Sequence, residues 1–157
     1  MKKLLSITLA AALMVGSLST VAFGAETEAE ILPGNGQKIG VSMPTKDLQR
    51  WNQDGDNMKA QLEAAGYEVD LQYASNDVQT QLSQVENMIS SGCEVLVIAA
   101  IEGSSLGEAL TMAKENEIPV FAYDRLLMDS DAVSYYATFD NYMVGTVQGH
   151  RCYRYMS

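Results

Sequence analysis

The chain has 157 residues, of which 47% are hydrophobic, and its formal net charge is −10. This length suits one domain with a single core once a short leader is set aside. The acidic balance argues against a nucleic-acid partner and against binding to an anionic membrane surface.

The first 24 residues have the pattern of a secretory signal peptide. Lys2 and Lys3 give a basic start, an apolar run rich in small residues follows, and small residues precede a cleavage site that we place after Gly24. The alternative is an N-terminal membrane anchor, which the abrupt change to acidic sequence disfavours. We therefore expect an exported protein of the periplasm or cell envelope that is not inserted in the membrane after cleavage, with residues 25–37 as a polar linker.

Short apolar strands then alternate with amphipathic helices. The predicted strands are KIGVSM, YEVDLQYA, EVLVIAAI, IPVFAYD and AVSYYATF. Apolar residues at helical spacing follow each of the first three strands, and another helix is predicted from DNYMVGTVQG onwards. Such alternation implies right-handed crossovers. The predicted fold class is therefore α/β, a doubly wound parallel sheet over residues 38–149.

Several polar residues suit the beginnings of these helices. Asn76 or Asp77 is predicted to cap the second helix. Ser105 and Glu108 have the spacing of a capping box for the third helix.

Side chains that form hydrogen bonds follow every predicted strand. Open parallel sheets bind ligands beyond the carboxyl ends of their strands. The segments that meet at this edge contain PTKDLQRW, SND, EGSS, DR and DN, in chain order. Trp51, the only tryptophan of the chain, lies in the first of them, at a polar junction where we expect a ring at the edge of a binding site.

Two common nucleotide-binding motifs are missing from the sequence. There is no GxGxxG after the first strand and no GxxxxGK[ST]. The single histidine, His150, leaves little material for a Ser-His-Asp triad or a histidine metal site. Carboxylates at the edge could hold Mg²⁺ or Ca²⁺, although scattered loop acids more often are solvated or cap helices. We predict no cofactor and no resident metal, and we keep a small metal-assisted hydrolase as an alternative.

A neutral sugar suits this edge better. Its hydroxyl groups both donate and accept hydrogen bonds, and its C–H face packs against an aromatic ring. Arg50, Trp51, Asp124 and Arg125 supply these groups. The convergence of such groups on one edge predicts a binding site.

Each candidate also has a purely structural interpretation. Trp51 would anchor the first helix on the sheet, and Arg50 would be a solvated residue. Asp124 and Arg125 would pair with each other or with loop backbone. Asp140 and Asn141 would form an N-cap pair.

Four stretches carry a family resemblance: KIGVSMPTKDLQRWNQDG, QLSQVENMISSGCEVLVIAA, IPVFAYDRL and YYATFDNYMVG. They resemble the periplasmic sugar-binding proteins of ABC importers, above all the xylose-binding and multiple-sugar-binding receptors. The resemblance extends from about Lys38 to Gly149, and RW, AYDR and FDN are specific as a set in this order and spacing.

The resemblance implies a type I periplasmic-binding-protein lobe, one of two that close around a monosaccharide, a pentose or a hexose such as xylose. Trp51 would stack on the sugar, and Arg50, Asp124 and Arg125 would bind its oxygens. Asp140 and Asn141 would contact the sugar or support the hinge. The closed receptor would dock on a membrane permease while another subunit hydrolyses ATP, so that the chain is not an enzyme.

Two features depart from the family. The second lobe is missing, and HRCYRYMS, residues 150–157, does not resemble the family helix, so we expect a truncated or frameshifted end. We also expect Cys152 to lie on a frayed tail and Cys93 to be buried at a strand edge, with no disulfide between them.

Two rival functions use the same lobe. A sugar-responsive repressor would need an N-terminal DNA-binding motif and a basic patch in place of the signal peptide and the acidic balance. A receptor that feeds a chemotaxis or sensor protein would differ from an importer receptor only on its outer surface.

Overall fold

The computed structural model describes residues 33–156, so the predicted signal peptide and most of the predicted linker lie outside the described residues. Within residues 33–156, no helix is both long and apolar enough to cross a membrane.

Residues 33–156 form five strands and four helices, which alternate except that β5 follows β4 directly. In order they are β1 (Lys38–Met43), α1 (Gln49–Ala64), β2 (Glu68–Tyr73), α2 (Val78–Ser90), β3 (Val95–Ile98), α3 (Gly107–Glu115), β4 (Val120–Tyr123), β5 (Val133–Ala137) and α4 (Asn141–Met156). The strands form one parallel sheet in the order β2-β1-β3-β4-β5. This confirms the predicted α/β class with a doubly wound parallel sheet.

The core lies on both faces of this sheet. Along β3, Leu96 and Ile98 belong to one apolar cluster with α2 and α3, whereas Val95 and Val97 pack against a second cluster beside α1. Successive strand residues point to opposite faces, so the continuous apolar sequence of β3 follows from helices on both sides. Cys93 is buried next to this strand, as predicted.

The start of α2 agrees with the sequence prediction, and the start of α3 does not. Asp77 caps α2, since its side chain accepts a hydrogen bond from the Thr80 amide at 2.6 Å. The predicted capping box of α3 is wrong. The helix begins at Gly107 with Leu106 as its N-cap, and the Ser105 hydroxyl instead donates to the Glu102 carbonyl at 2.9 Å.

The end of the described chain is more regular than expected. Helix α4 continues through residues 150–156, so the expectation of a frayed tail around Cys152 is wrong. No glycine or proline follows Gly149 to interrupt the helix. The division at residue 149 between lobe and tail stays a prediction.

Candidate ligand-binding site

The sheet order brings two predicted site segments close together. Arg50 and Trp51 lie in the first turn of α1, just after β1, and Asp124 and Arg125 directly follow β4. Both strands pair with β3. The carboxyl ends of β1 and β4 are therefore separated by one strand only, and long side chains can meet between them.

The Arg50 guanidinium joins the two segments. Its Nη2 donates to Asp124 Oδ1 across 74 residues of sequence, and its Nε donates to Asp54 Oδ2 at 3.3 Å within the same helix. The hydrogen bond to Asp124 is the main reason why the pKa of Arg50 is raised above its ordinary value. The site thus holds a permanently charged fork of N–H donors beside a carboxylate.

Trp51 is more buried than the sequence suggested. Only 3% of the residue is exposed, and it packs in the cluster of Ile39, Val41 and Met43 under α1. This burial agrees with the structural interpretation of Trp51 as an anchor of the first helix on the sheet. The reason is helical phase: residues 51, 55, 58 and 62 share one face of α1, and that face lies on the sheet.

The Trp51 ring nevertheless reaches the site. The Cζ atoms of Arg50 and Arg125 lie 4.6 Å and 5.5 Å from its ring centroid, both within cation–π distance. The ring is therefore both an anchor of α1 and a platform under two guanidinium groups.

Arg125 binds backbone rather than Asp124. Its Nη1 donates to the carbonyls of Ala100 and Ile101, at 3.0 Å and 3.2 Å, and so connects the end of β4 to the end of β3. This agrees with the loop-backbone interpretation. The interpretation that Asp124 pairs with Arg125 is not supported, because the ion-pair partner of Asp124 is Arg50.

Asp124 has an unusual backbone conformation. Its φ is +62°, a left-handed value that costs energy for a residue with a side chain, although aspartate tolerates it better than most. Three hydrogen bonds hold it there. Its amide donates to the Ala137 carbonyl, and its carbonyl accepts from Tyr136 Oη and Thr138 Oγ1. The loop thus stores strain at the residue that faces Arg50.

Asp140 and Asn141 lie apart from this network. Asp140 caps α4, since its Oδ1 accepts from the Met143 amide at 2.9 Å, and Asn141 is the first residue of the helix. Asp140 therefore fits its capping interpretation. Within residues 33–156, neither side chain forms a hydrogen bond or an ion pair with Arg50 or Asp124.

Sequence reasoning missed Gln81, which supports the site from below. Its side chain is fully buried, and its Nε2 donates to Ser42 Oγ at 3.1 Å and to the Ala99 carbonyl at 3.0 Å. Its Oε1 accepts from the Ile101 amide at 2.9 Å. Gln81 thereby fixes the segment whose carbonyls receive Arg125. The sequence could have indicated this role, because Gln81 is a lone amide side chain on the otherwise apolar face of α2.

Sequence reasoning counted Asp54 among the carboxylates of the edge but did not pair it with Arg50, and it missed the contact of Phe139 with Arg50. Asp54 is the i+4 neighbour of Arg50, a spacing that favours an ion pair on a helix. The Phe139 ring centroid lies 5.1 Å from the Arg50 Cζ. Nothing in the local sequence pattern indicates this second contact, because it joins residues 89 positions apart.

The described residues at this edge do not support the alternative of a metal site. Among residues 33–156, no group of three His, Cys, Asp or Glu side chains is arranged to hold a metal ion. The carboxylates of Asp54 and Asp124 are bound to Arg50 instead.

The guanidinium, carboxylate and aromatic groups of this lobe lie beyond the strand ends, where open parallel sheets bind their ligands. Residues 39–156 match the periplasmic binding protein domain, and the chain belongs to that family. Proteins of this family are receptors that bind their ligands without transforming them, in agreement with the prediction that the chain is not an enzyme.

Individual relatives narrow the comparison. The chain is 47% identical, over 96% of its length, to the multiple sugar-binding periplasmic receptor ChvE of Rhizobium radiobacter. It is 40% identical over 71% of its length to the D-xylose-binding periplasmic protein of Escherichia coli. An ABC transporter solute-binding protein of Clostridium phytofermentans, solved with β-D-glucose, is 71% identical over 76% of the chain, with a TM-score of 0.74. The chain spans 40%, 33% and 37% of these proteins, respectively.

Proposed function

We propose that this chain is the N-terminal lobe of the sugar receptor of an ABC importer, and that it binds a monosaccharide at the edge formed by Arg50, Trp51, Asp124 and Arg125. One observation carries the proposal: the Arg50–Asp124 pair bridges the carboxyl ends of β1 and β4 above an aromatic ring. In the whole protein a second lobe would close over this edge, and the closed receptor would deliver the sugar to a membrane permease.

The donors and acceptors of this edge match a sugar hydroxyl group. Arginine has five N–H donors, and two of those of Arg50 are engaged by Asp54 and Asp124. Up to three remain for sugar oxygens, while Asp124 can accept from a hydroxyl. Hydrogen bonds to charged groups contribute about 1.5–3 kcal/mol each. A pentose or a hexose satisfies this chemistry, and the named ligands of the relatives include D-xylose and β-D-glucose.

The proposal includes stacking of the sugar on Trp51, which requires that the face of the ring become accessible. Because 3% of the residue is exposed and Arg50 and Arg125 lie over the ring, a sugar reaches the ring face only where a guanidinium gives way. The Cζ of Arg125 is the farther of the two from the ring. Asp140 and Asn141, outside the Arg50 network, are proposed to contribute through the hinge side of the cleft.

A titration of the ¹⁵N-labelled chain with D-glucose and D-xylose, followed by amide and indole resonances, tests the proposal. We expect saturable shifts of the Trp51 indole N–H and of amides around Asp124 and Arg125. One lobe supplies only part of a closed cleft, so we expect an affinity on the order of 1 mM, about 4 kcal/mol of binding free energy.

A matched pair of variants gives the control. Asp124→Asn removes the ion pair between Arg50 and Asp124 and should abolish the shifts. Asp131→Asn removes an exposed ion pair with Lys114, outside the site, and should leave them intact. Shifts that are absent, scattered over the surface or equal in both variants would contradict the proposal.

A further inference from the structure

We infer that Phe139 is a positioning residue for Arg50, holding the guanidinium in place for the sugar. This inference rests on the proposed function, since it concerns the same site. It adds a residue that the sequence analysis quoted in the FDN motif but did not place in the site, and it assigns that residue a role exerted through Arg50.

Core packing does not account for Phe139. The residue is 55% exposed and belongs to neither of the two apolar clusters. The Phe139 ring contacts the charged guanidinium of Arg50, whose Cζ lies over the ring, 5.1 Å from its centroid. A large aromatic side chain that is half exposed beside a guanidinium is better explained by that contact than by burial.

The backbone on both sides of Phe139 is anchored. Before it, Thr138 Oγ1 donates to the Asp124 carbonyl at 3.1 Å, and Ala137 accepts from the Asp124 amide at 2.7 Å. After it, Asp140 caps α4. The loop that carries the ring is therefore fixed to Asp124, the residue that pairs with Arg50.

Arg50 is consequently restrained by two kinds of contact. The carboxylates of Asp54 and Asp124 bind its N–H groups, and the rings of Trp51 and Phe139 contact the guanidinium as a cation. A free arginine side chain loses much rotational freedom when a ligand immobilises it. If the free lobe already holds Arg50, that loss does not weaken sugar binding.

The test compares Phe139→Leu with Phe139→Tyr, which keeps a ring. The control is Tyr142→Leu, which removes an aromatic residue that is 86% exposed on α4. The first readout is the Arg50 Nε–H resonance of the sugar-free chain. We expect Phe139→Leu to move this resonance, by loss of the ring current, and to increase the mobility of the side chain. The tyrosine variant and the control should match the parent chain.

The second readout is the affinity for D-glucose at constant thermal stability. Phe139→Leu should weaken binding by about 2- to 5-fold, the usual worth of an exposed cation–π contact, and Phe139→Tyr should restore it. An Arg50 resonance and mobility unchanged in Phe139→Leu would overturn the inference. If that resonance responds but the parent chain binds no glucose, the Phe139–Arg50 contact stands and the proposed function is refuted.

Discussion

Replacement of Gln81 by leucine should destabilise the lobe strongly. The leucine fits the apolar surroundings of α2, but it removes three hydrogen bonds: to Ser42 Oγ, to the Ala99 carbonyl and from the Ile101 amide. Each hydrogen bond is worth about 1 kcal/mol net, and each buried group left without a partner costs about 1–3 kcal/mol. We therefore expect the free energy of unfolding to fall by about 3–5 kcal/mol.

Gln84, one turn farther along the same helix, offers a matched control. Its Nε2 donates to the Tyr73 carbonyl at 3.1 Å, while its Oε1 is buried without a hydrogen-bond partner. Gln84→Leu loses one hydrogen bond and removes one unsatisfied oxygen, so its cost should stay below about 1 kcal/mol. Urea denaturation followed by circular dichroism measures both variants. Equal costs for Gln81→Leu and Gln84→Leu would refute the reasoning.

Three further predictions follow from single sites. Trp51→Ala should lower the free energy of unfolding by about 3–5 kcal/mol in chemical denaturation, because it empties a buried site; an unchanged stability would mean that the ring lies outside the core. Asp77→Ala should lower the melting temperature at neutral pH. The hydrogen bond from Thr80 lowers the pKa of Asp77 in the folded chain. The stabilisation by Asp77 is therefore complete above the ordinary carboxyl pKa of about 3.9, and it is lost as the pH falls through the lower pKa of the folded state. A difference in melting temperature between Asp77→Ala and the parent chain that persists in strong acid would contradict this. Cys93 should resist thiol reagents in a Cys152→Ser chain until the protein unfolds, because it is 2% exposed and burial raises the pKa of its thiol; rapid labelling of the folded chain would argue against its burial.

The architecture was accessible from sequence because it depends on periodicity. Strands such as VLVI and helices with a 3.6-residue apolar repeat are local patterns, and their alternation restricts the topology to a parallel sheet. The edge position of Arg50 and Asp124 follows from that topology alone. The α3 start was predicted incorrectly because Ser105, a good capping residue by type, uses its hydroxyl in the preceding turn.

The details of the site depend on contacts that no local pattern contains. Trp51 could have been placed in the core by extending the apolar face of α1 back by two turns, from Met58 through Gly55, but its polar neighbours in sequence obscured this phase. The left-handed backbone of Asp124 and the contact of Phe139 with Arg50 arise only when β4 and β5 are paired. The hydrogen bonds of Gln81 likewise require the packed sheet.

The central claim is that the edge around Arg50 and Asp124 binds a monosaccharide. Its most direct test is a fluorescence titration of the chain with D-glucose, since Trp51 is the only tryptophan and lies under both guanidinium groups. The account predicts a saturable change in emission that disappears in Asp124→Asn. A signal that does not saturate, or one that Asp124→Asn leaves unchanged, would contradict it.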